Sequence, residues 1–320
     1  MRGSWPIDPA LAHSFANREG LMSIQTRRTF LGASALAVGT ACLRSNRLLA
    51  APLGLPIGLQ LYSVRELLPK DFAGTLRQIG ALGYREVEAA GFYGHTVAEV
   101  KEAMSAADLR CVSAHYSYHD LSRDFDKTLE FAHGLGLEYL ICSFPGHKNP
   151  PKDSSAAGQR QFTLEDWRWN ADQFNQMGAK IKQAGMRMGY HNHTMEFAAQ
   201  DGVVPFDELV RLTDPALVTI EMDCGWVTVG GANPAEYLRR YPTRISMLHV
   251  KDFKKTDKPV TPTSPPPAAE LGRGTADYHA VFAAASSANI KHYFVEQEEF
   301  DGPPMEALKI DADYMRDLNV

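Results

Sequence analysis

Four short segments in the second half of the chain end on pairs of ionisable residues spaced i and i+2: His191 and His193, Glu221 and Asp223, His249 and Lys251, Glu296 and Glu298. Each pair closes an apolar run that reads as a β-strand, and in a strand such residues share a face. One polar pair at a strand end is an ordinary solvated rim. Four on successive strands, made almost wholly of His, Asp and Glu, converge on a single point. Imidazoles and carboxylates together suit one borderline divalent cation, manganese first, with zinc, cobalt or iron also compatible. The expected ligands are His191, Asp223, His249 and Glu296. His193 stays open as the strand-five ligand, because it shares a face with His191; otherwise it holds substrate or a second carboxylate. A lone carboxylate at the end of an apolar strand is costly unless a cation meets it, which favours Asp223 and Glu296.

The elements that must position these residues repeat along the chain. After Pro56, short apolar runs alternate with longer amphipathic ones, the pattern of βα units around a parallel sheet. The expected strands are 57–62, 85–89, 110–116, 139–144, 187–193, 218–223, 245–251 and 292–296. The expected helices are about 71–82, 96–107, 122–135, 165–184, 205–213, 234–241, 277–288 and 303–317. Eight units in series predict an α/β fold closed as a (β/α)8 TIM barrel over residues 52–320. A doubly wound open sheet would carry a Gly-rich phosphate turn after its first strand, and Tyr62-Ser63-Val64-Arg65 has none. Two long connections, 145–163 and 252–276, both follow strands and so belong to the face where barrel active sites are built.

Residues 1–51 read as an upstream extension and an export signal rather than fold. From Met22 the chain runs through Arg27-Arg28-Thr29-Phe30-Leu31 into the apolar stretch Ala33 to Leu43, the layout of a twin-arginine signal. An apolar run this short cannot cross roughly 30 Å of hydrocarbon, so no stable membrane insertion is expected. The expected location is the periplasm or another exported compartment. This segment contains six Arg and two acidic residues; without it, 27 basic residues face 36 acidic ones, a net charge of −9. So acidic a surface repels phosphate backbones and argues against nucleic acid as a partner. Cys111, Cys142 and Cys224 lie in or beside apolar runs without metal-like spacing and read as buried thiols.

The chain resembles the sugar phosphate isomerase/epimerase superfamily, the xylose-isomerase-like barrels. The likeness covers nearly all of residues 57–318 and rests on Gly58-Leu59-Gln60-Leu61-Tyr62-Ser63, Gly83-Tyr84-Arg85-Glu86-Val87-Glu88, Tyr190-His191-Asn192-His193, Glu221-Met222-Asp223-Cys224-Gly225-Trp226, His249-Val250-Lys251-Asp252 and Val295-Glu296-Gln297. Together these segments are specific to the superfamily, although each alone is weak. The resemblance implies a catalytic metal held by Glu, Asp, His and Glu from the last four strands. Asp223, His249 and Glu296 match, whereas His191 stands at the first Glu position. In the epimerases that Glu is also one of two acid–base carboxylates, so the histidine argues against a symmetrical two-carboxylate mechanism.

Metal-assisted removal of a proton beside a carbonyl is the chemistry this set implies, with Glu296 as first candidate base. Glu88 and His115, at the ends of strands two and three, are candidates for a second proton-transfer group, and Lys251 for oxyanion stabilisation. His193, Glu270 and Gln60 are candidate substrate contacts, and Tyr62 and Trp226 candidate stacking faces. For Glu88, His115, Lys251 and Glu270 a rim or salt-bridge role is an equal alternative. Reprotonation would make an isomerase or epimerase acting on a non-phosphorylated sugar or keto-sugar, the first expectation. Loss of a β-leaving group would make a keto-glycoside lyase or hydrolase. An endonuclease-IV-like phosphodiesterase or a non-catalytic sugar-binding protein is the alternative of another class.

Overall fold

The structure, a computed structural model, describes residues 51–150, 161–257 and 264–319. The expected export segment, apart from Ala51, and the middle of the first long connection lie outside these residues. Eight parallel strands close into a barrel: β1 (Gly58–Gln60), β2 (Glu86–Ala89), β3 (Arg110–Ser117), β4 (Tyr139–Phe144), β5 (Arg187–His191), β6 (Val218–Asp223), β7 (Ile245–Val250) and, after a small side ribbon, β10 (His292–Val295). The ribbon pairs β8 (Asp252–Phe253) antiparallel with β9 (Ala268–Ala269) inside the second long connection. Val112, Tyr139, Ile141, Met247 and Phe294 form one buried cluster, and the other strand faces pack on the helices. Among the described residues no helix is long and apolar enough to cross a membrane.

Several strands stop short of their expected ends, and the reason is local. The first run turns after Gln60 into the 3-10 helix Leu61–Val64 because the Gln60 side chain accepts the Tyr62 N–H at 3.0 Å. The fifth, seventh and eighth barrel strands end at His191, Val250 and Val295, so His193, Lys251 and Glu296 lie just beyond the regular strand. The helix expected over 122–135 is two, Tyr118–Arg123 and Phe125–Leu135, broken where Asp124 leaves helical geometry. An additional helix, Cys224–Val229, starts directly from β6. Thr96 and Thr163 begin their helices with reciprocal capping boxes, as a Thr three residues before an acid does.

Two irregularities aim the site. The β2–β3 register shifts between Val87 and Glu88, and the β6–β7 register between Ile220 and Glu221. Each shift directly precedes a fully buried acid, the placement by which bulges redirect side chains near active sites. Gly225 matters for a different reason: a Cβ there would sit 2.5 Å from the Lys251 carbonyl oxygen. Its absence lets the Cys224–Val229 helix seat against the end of β7.

Candidate active site

His249 is the hub. It is fully buried, and its two ring nitrogens face two different groups of acids. Nδ1 lies 3.3 Å from Glu296 Oε2 and 3.8 Å from Asp223 Oδ2. Nε2 lies 2.7 Å from Glu88 Oε1 and 3.3 Å from Glu221 Oε2. Two sets of potential ligand atoms therefore share this ring: Asp223, His249 and Glu296, and His115, His191, Glu221 and His249.

Donors held tetrahedrally about 2.1 Å from a metal stand roughly 3.4 Å from each other. His249 Nδ1 stands 3.3 and 3.8 Å from Glu296 and Asp223, and Glu221 Oε2 stands 3.2 and 3.3 Å from His191 Nδ1 and His249 Nε2. His115 Nε2 approaches Glu221 to 2.7 Å and Glu88, outside both sets, to 2.8 Å, which are hydrogen-bond lengths. Asp223 adds a second observation for the Nδ1 set. Its Oδ1 accepts the Trp226 N–H at 2.7 Å and caps the Cys224–Val229 helix, while Oδ2, buried, has no hydrogen-bond partner. A buried carboxylate oxygen without a donor, beside an imidazole nitrogen and a second carboxylate, fits a divalent cation.

His191 does not join Asp223 and Glu296 as closely as the sequence suggested. Its Nδ1 lies 3.2 Å from Glu221 Oε2, in the hydrogen-bonded set, although its ring centroid is 4.5 Å from that of His249. Burial, then the neighbouring His249 and His115, hold its pKa well below the ordinary histidine value, so the ring is neutral as a ligand must be. His193 lies at the cavity wall, 5.0 Å from the His191 ring, with its pKa pushed down to about 3 by burial and Lys251.

A cavity of about 540 Å³ opens above this floor. Of the expected residues, Tyr62, His115, His191, His193 and Glu296 line it. Lys251 is buried behind the wall, where its Nζ donates to Glu296 Oε2 at 2.9 Å and also meets Glu298. Burial alone would lower its pKa, but Glu296 and Glu298 outweigh it and hold the ammonium above its ordinary range. The same ammonium and the His249 ring overcome the burial of Glu296 and keep that carboxyl well below the usual range. His115 lines the cavity with Nε2 turned inward; burial lowers its pKa, Glu88 and Glu221 raise it more, and it reaches about 9.

Four expected residues are placed elsewhere. Gln60 is fully buried, and its amide donates to Glu88 at 2.7 Å rather than facing the cavity. Glu88, also fully buried, receives Gln60, His115 and His249 and orients them from beneath. Trp226 lies 4.7 Å from both the Lys251 Nζ and the Phe253 ring, packed under the site. Glu270 pairs with Arg273 at 3.6 Å outside the cavity lining. Sequence reasoning passed over Glu221 in favour of its partner in the pair, Asp223. It also passed over Asp120, Arg123 and Phe144, which line the cavity. Asp120 and Arg123 belong to a short helix after β3, with no strand-end spacing to mark them.

The model of xylose isomerase-like TIM barrels matches residues 76–318. The chain is 27% identical to an inosose dehydratase of Clostridium beijerinckii over 192 residues, which are 57% of this chain and 64% of that protein, less than two thirds of its length. A sugar phosphate isomerase/epimerase from Parabacteroides distasonis is 28% identical and superposes with a TM-score of 0.63, covering 81% of this chain and 96% of its own. The IOLI protein, solved with a zinc atom bound, is similar in fold, with 13% identity, a TM-score of 0.63 and coverage of 82% and 98%. With the closed barrel, the acidic mouth and the family match in agreement, the chain belongs to the xylose isomerase-like TIM barrel family.

Proposed function

We propose that the chain is a metal-dependent lyase that removes water from a ketone-bearing, polyhydroxylated ring such as a keto-sugar or keto-cyclitol. The observation that carries this reading is the unlikeness of the two acid–base groups lining the cavity. Glu296 is an ionised carboxylate, and His115 is an imidazole held between two carboxylates at 2.7 and 2.8 Å. Asp223, His249 and Glu296, with His191 beside them, would hold the ion, for which manganese is our choice among manganese, zinc, cobalt and iron. When bound, it supplies Lewis-acid polarisation of the substrate carbonyl.

Glu296 takes the proton from the carbon beside the ketone, while Lys251 balances its charge before transfer. The electron pair forms the new C=C bond, the β-carbon–oxygen bond breaks, and the His115 imidazolium gives its proton to the departing hydroxyl, which leaves as water. His115 lines the cavity and its Nε2 is bound to Glu88 and Glu221, so Nδ1 is the nitrogen left to give the proton. The likeness to an inosose dehydratase supports elimination. The isomerase/epimerase relative supports the second reading, in which the same carbon is reprotonated. An inosose or 3-keto-glucose incubated in deuterated buffer decides: a product lighter by one water, with enone absorbance, is expected. Deuterium uptake and inversion without water loss would establish the epimerase instead.

We also infer export through the twin-arginine route from Arg27 and Arg28 and the apolar stretch behind them. Arg27→Lys with Arg28→Lys should retain the protein in the cytoplasm, as read by fractionation; unchanged export would remove this reading.

A further inference from the structure

We propose that Asn192 is a positioning residue that presets the Asp223 carboxylate for the metal, an inference that rests on the metal-dependent reading above. β5 ends at His191 and β6 at Asp223, and the last backbone pairing between them joins His191 to Glu221. One residue further on, the Asn192 side chain takes over the role of the ladder. Its Oδ1 accepts the Asp223 N–H at 3.1 Å, and its Nδ2 donates to the Asp223 carbonyl at 3.4 Å and to the His193 carbonyl at 3.3 Å. A primary amide carries a donor and an acceptor side by side, as a peptide group does, so it can hold both backbone groups of one residue. Asn192 is fully buried, so water does not compete for these bonds.

Asp223 is therefore constrained twice. The amide fixes its backbone, and the Trp226 N–H on Oδ1 fixes the rotation of its carboxylate. What remains is Oδ2, unpartnered and 3.8 Å from His249 Nδ1. Asp223 is fully buried, and an unpartnered oxygen there gains from being set in place before a cation arrives. Residues that orient metal ligands in this way contribute 10–100-fold to affinity.

The test uses the full chain, stripped of metal, with Zn²⁺ alone titrated against a chromogenic chelator. Asn192→Leu keeps the branching and removes both polar atoms; Asn192→Asp keeps only the acceptor. The expected result is Zn²⁺ affinity weakened about 10–100-fold in Asn192→Leu and by a smaller factor in Asn192→Asp, with the far-ultraviolet spectra unchanged. Affinity within twofold of wild type in both variants would overturn the inference while leaving the metal reading standing. Should Asn192→Leu not fold, Asn192→Asp decides on the same twofold criterion. Absence of Zn²⁺ binding by the wild type would remove the metal reading and the positioning role together.

Discussion

Glu86 and Glu88 stand two residues apart on the same strand and the same face, yet they face opposite ends of the barrel and meet opposite conditions. Glu86, at the N-terminal end, is charge-matched: Arg110 meets Oε1 and His292 Nδ1 meets Oε2 at 2.7 Å, with Glu138 completing the Arg110 pair. Burial would raise its pKa, but His292 and Arg110 bring it below the usual carboxylate value. Glu88, at the mouth, has three donors on Oε1 and none on Oε2. Glu221 Oε1 and Asp223 Oδ2 are likewise buried without a hydrogen-bond partner. One end of the barrel is electrostatically closed; the other keeps an excess of buried acid that a cation can neutralise. Stability belongs to the first and chemistry to the second, the division this architecture makes between its two faces.

The largest effect that can break this comparison comes from Asp223→Asn. It keeps an oxygen to accept the Trp226 N–H and cap the Cys224–Val229 helix but replaces the oxygen that no protein donor claims and removes the charge, so metal affinity and turnover should fall by roughly a thousandfold or more while the melting temperature of the metal-free protein holds or rises. A metal-free protein that melts markedly lower would show that Asp223 serves the fold. Glu88→Gln comes next. It leaves an acceptor for His249 Nε2 but removes the charge, and a loss of about 10–100-fold in metal affinity is expected. Unchanged affinity would mean that His249 needs no orienting carboxylate.

Much of this is legible in the sequence alone. The eight strands and most helices follow from apolar periodicity, which depends on neighbours in sequence. The i and i+2 pairs located the mouth because strand geometry alone puts both members on one face. What the pairs could not show is depth. Asp223 and Glu221 have identical local signals, and each leaves one buried oxygen without a donor; what separates them is the partner of the other oxygen, the Trp226 N–H for Asp223 and the His115 and His191 rings for Glu221. Glu88 reads as a second proton-transfer candidate and Gln60 as a substrate contact for the same reason, since strand-end position does not reveal that both are fully buried and bonded to each other. Asn192 sat in full view inside Tyr-His-Asn-His, but its partner is 31 residues away and pairs through backbone atoms that no side-chain pattern encodes.

The smaller predictions sharpen the comparison through pH, because two buried acids respond with opposite signs. Glu86→Gln removes a carboxylate whose folded pKa is depressed. Its stabilisation is present above the unfolded value of about 4.3 and is lost as pH falls through the lower folded value. The substitution should therefore cost roughly 2 kcal/mol at pH 7, about 5 °C in melting temperature, and less towards acid, with metal affinity unchanged.

Asp311 is the counterpart on the C-terminal helix Pro304–Asp317, where it holds the loop after β9 by accepting the Leu271 N–H at 2.8 Å. Among the described residues no ion pair holds it as Arg110 holds Glu86, and burial first, then the nearby Glu270 and Asp252, outweigh the Leu271 N–H and Arg273 and push its pKa up to about 7. Its contribution is fully present below the unfolded value of about 3.9 and is lost as pH rises through 7. Asp311→Asn keeps an acceptor for Leu271 and cannot ionise. Melting curves should show the variant a few degrees more stable than wild type at pH 8 and no better at pH 4, with a gain of roughly 2–4 °C for each kcal/mol recovered. Equal destabilisation at both pH values would mean that the carboxylate is paired by a cation after all, and the contrast between a neutralised end and an acid-rich end would then lose its sharpest expression.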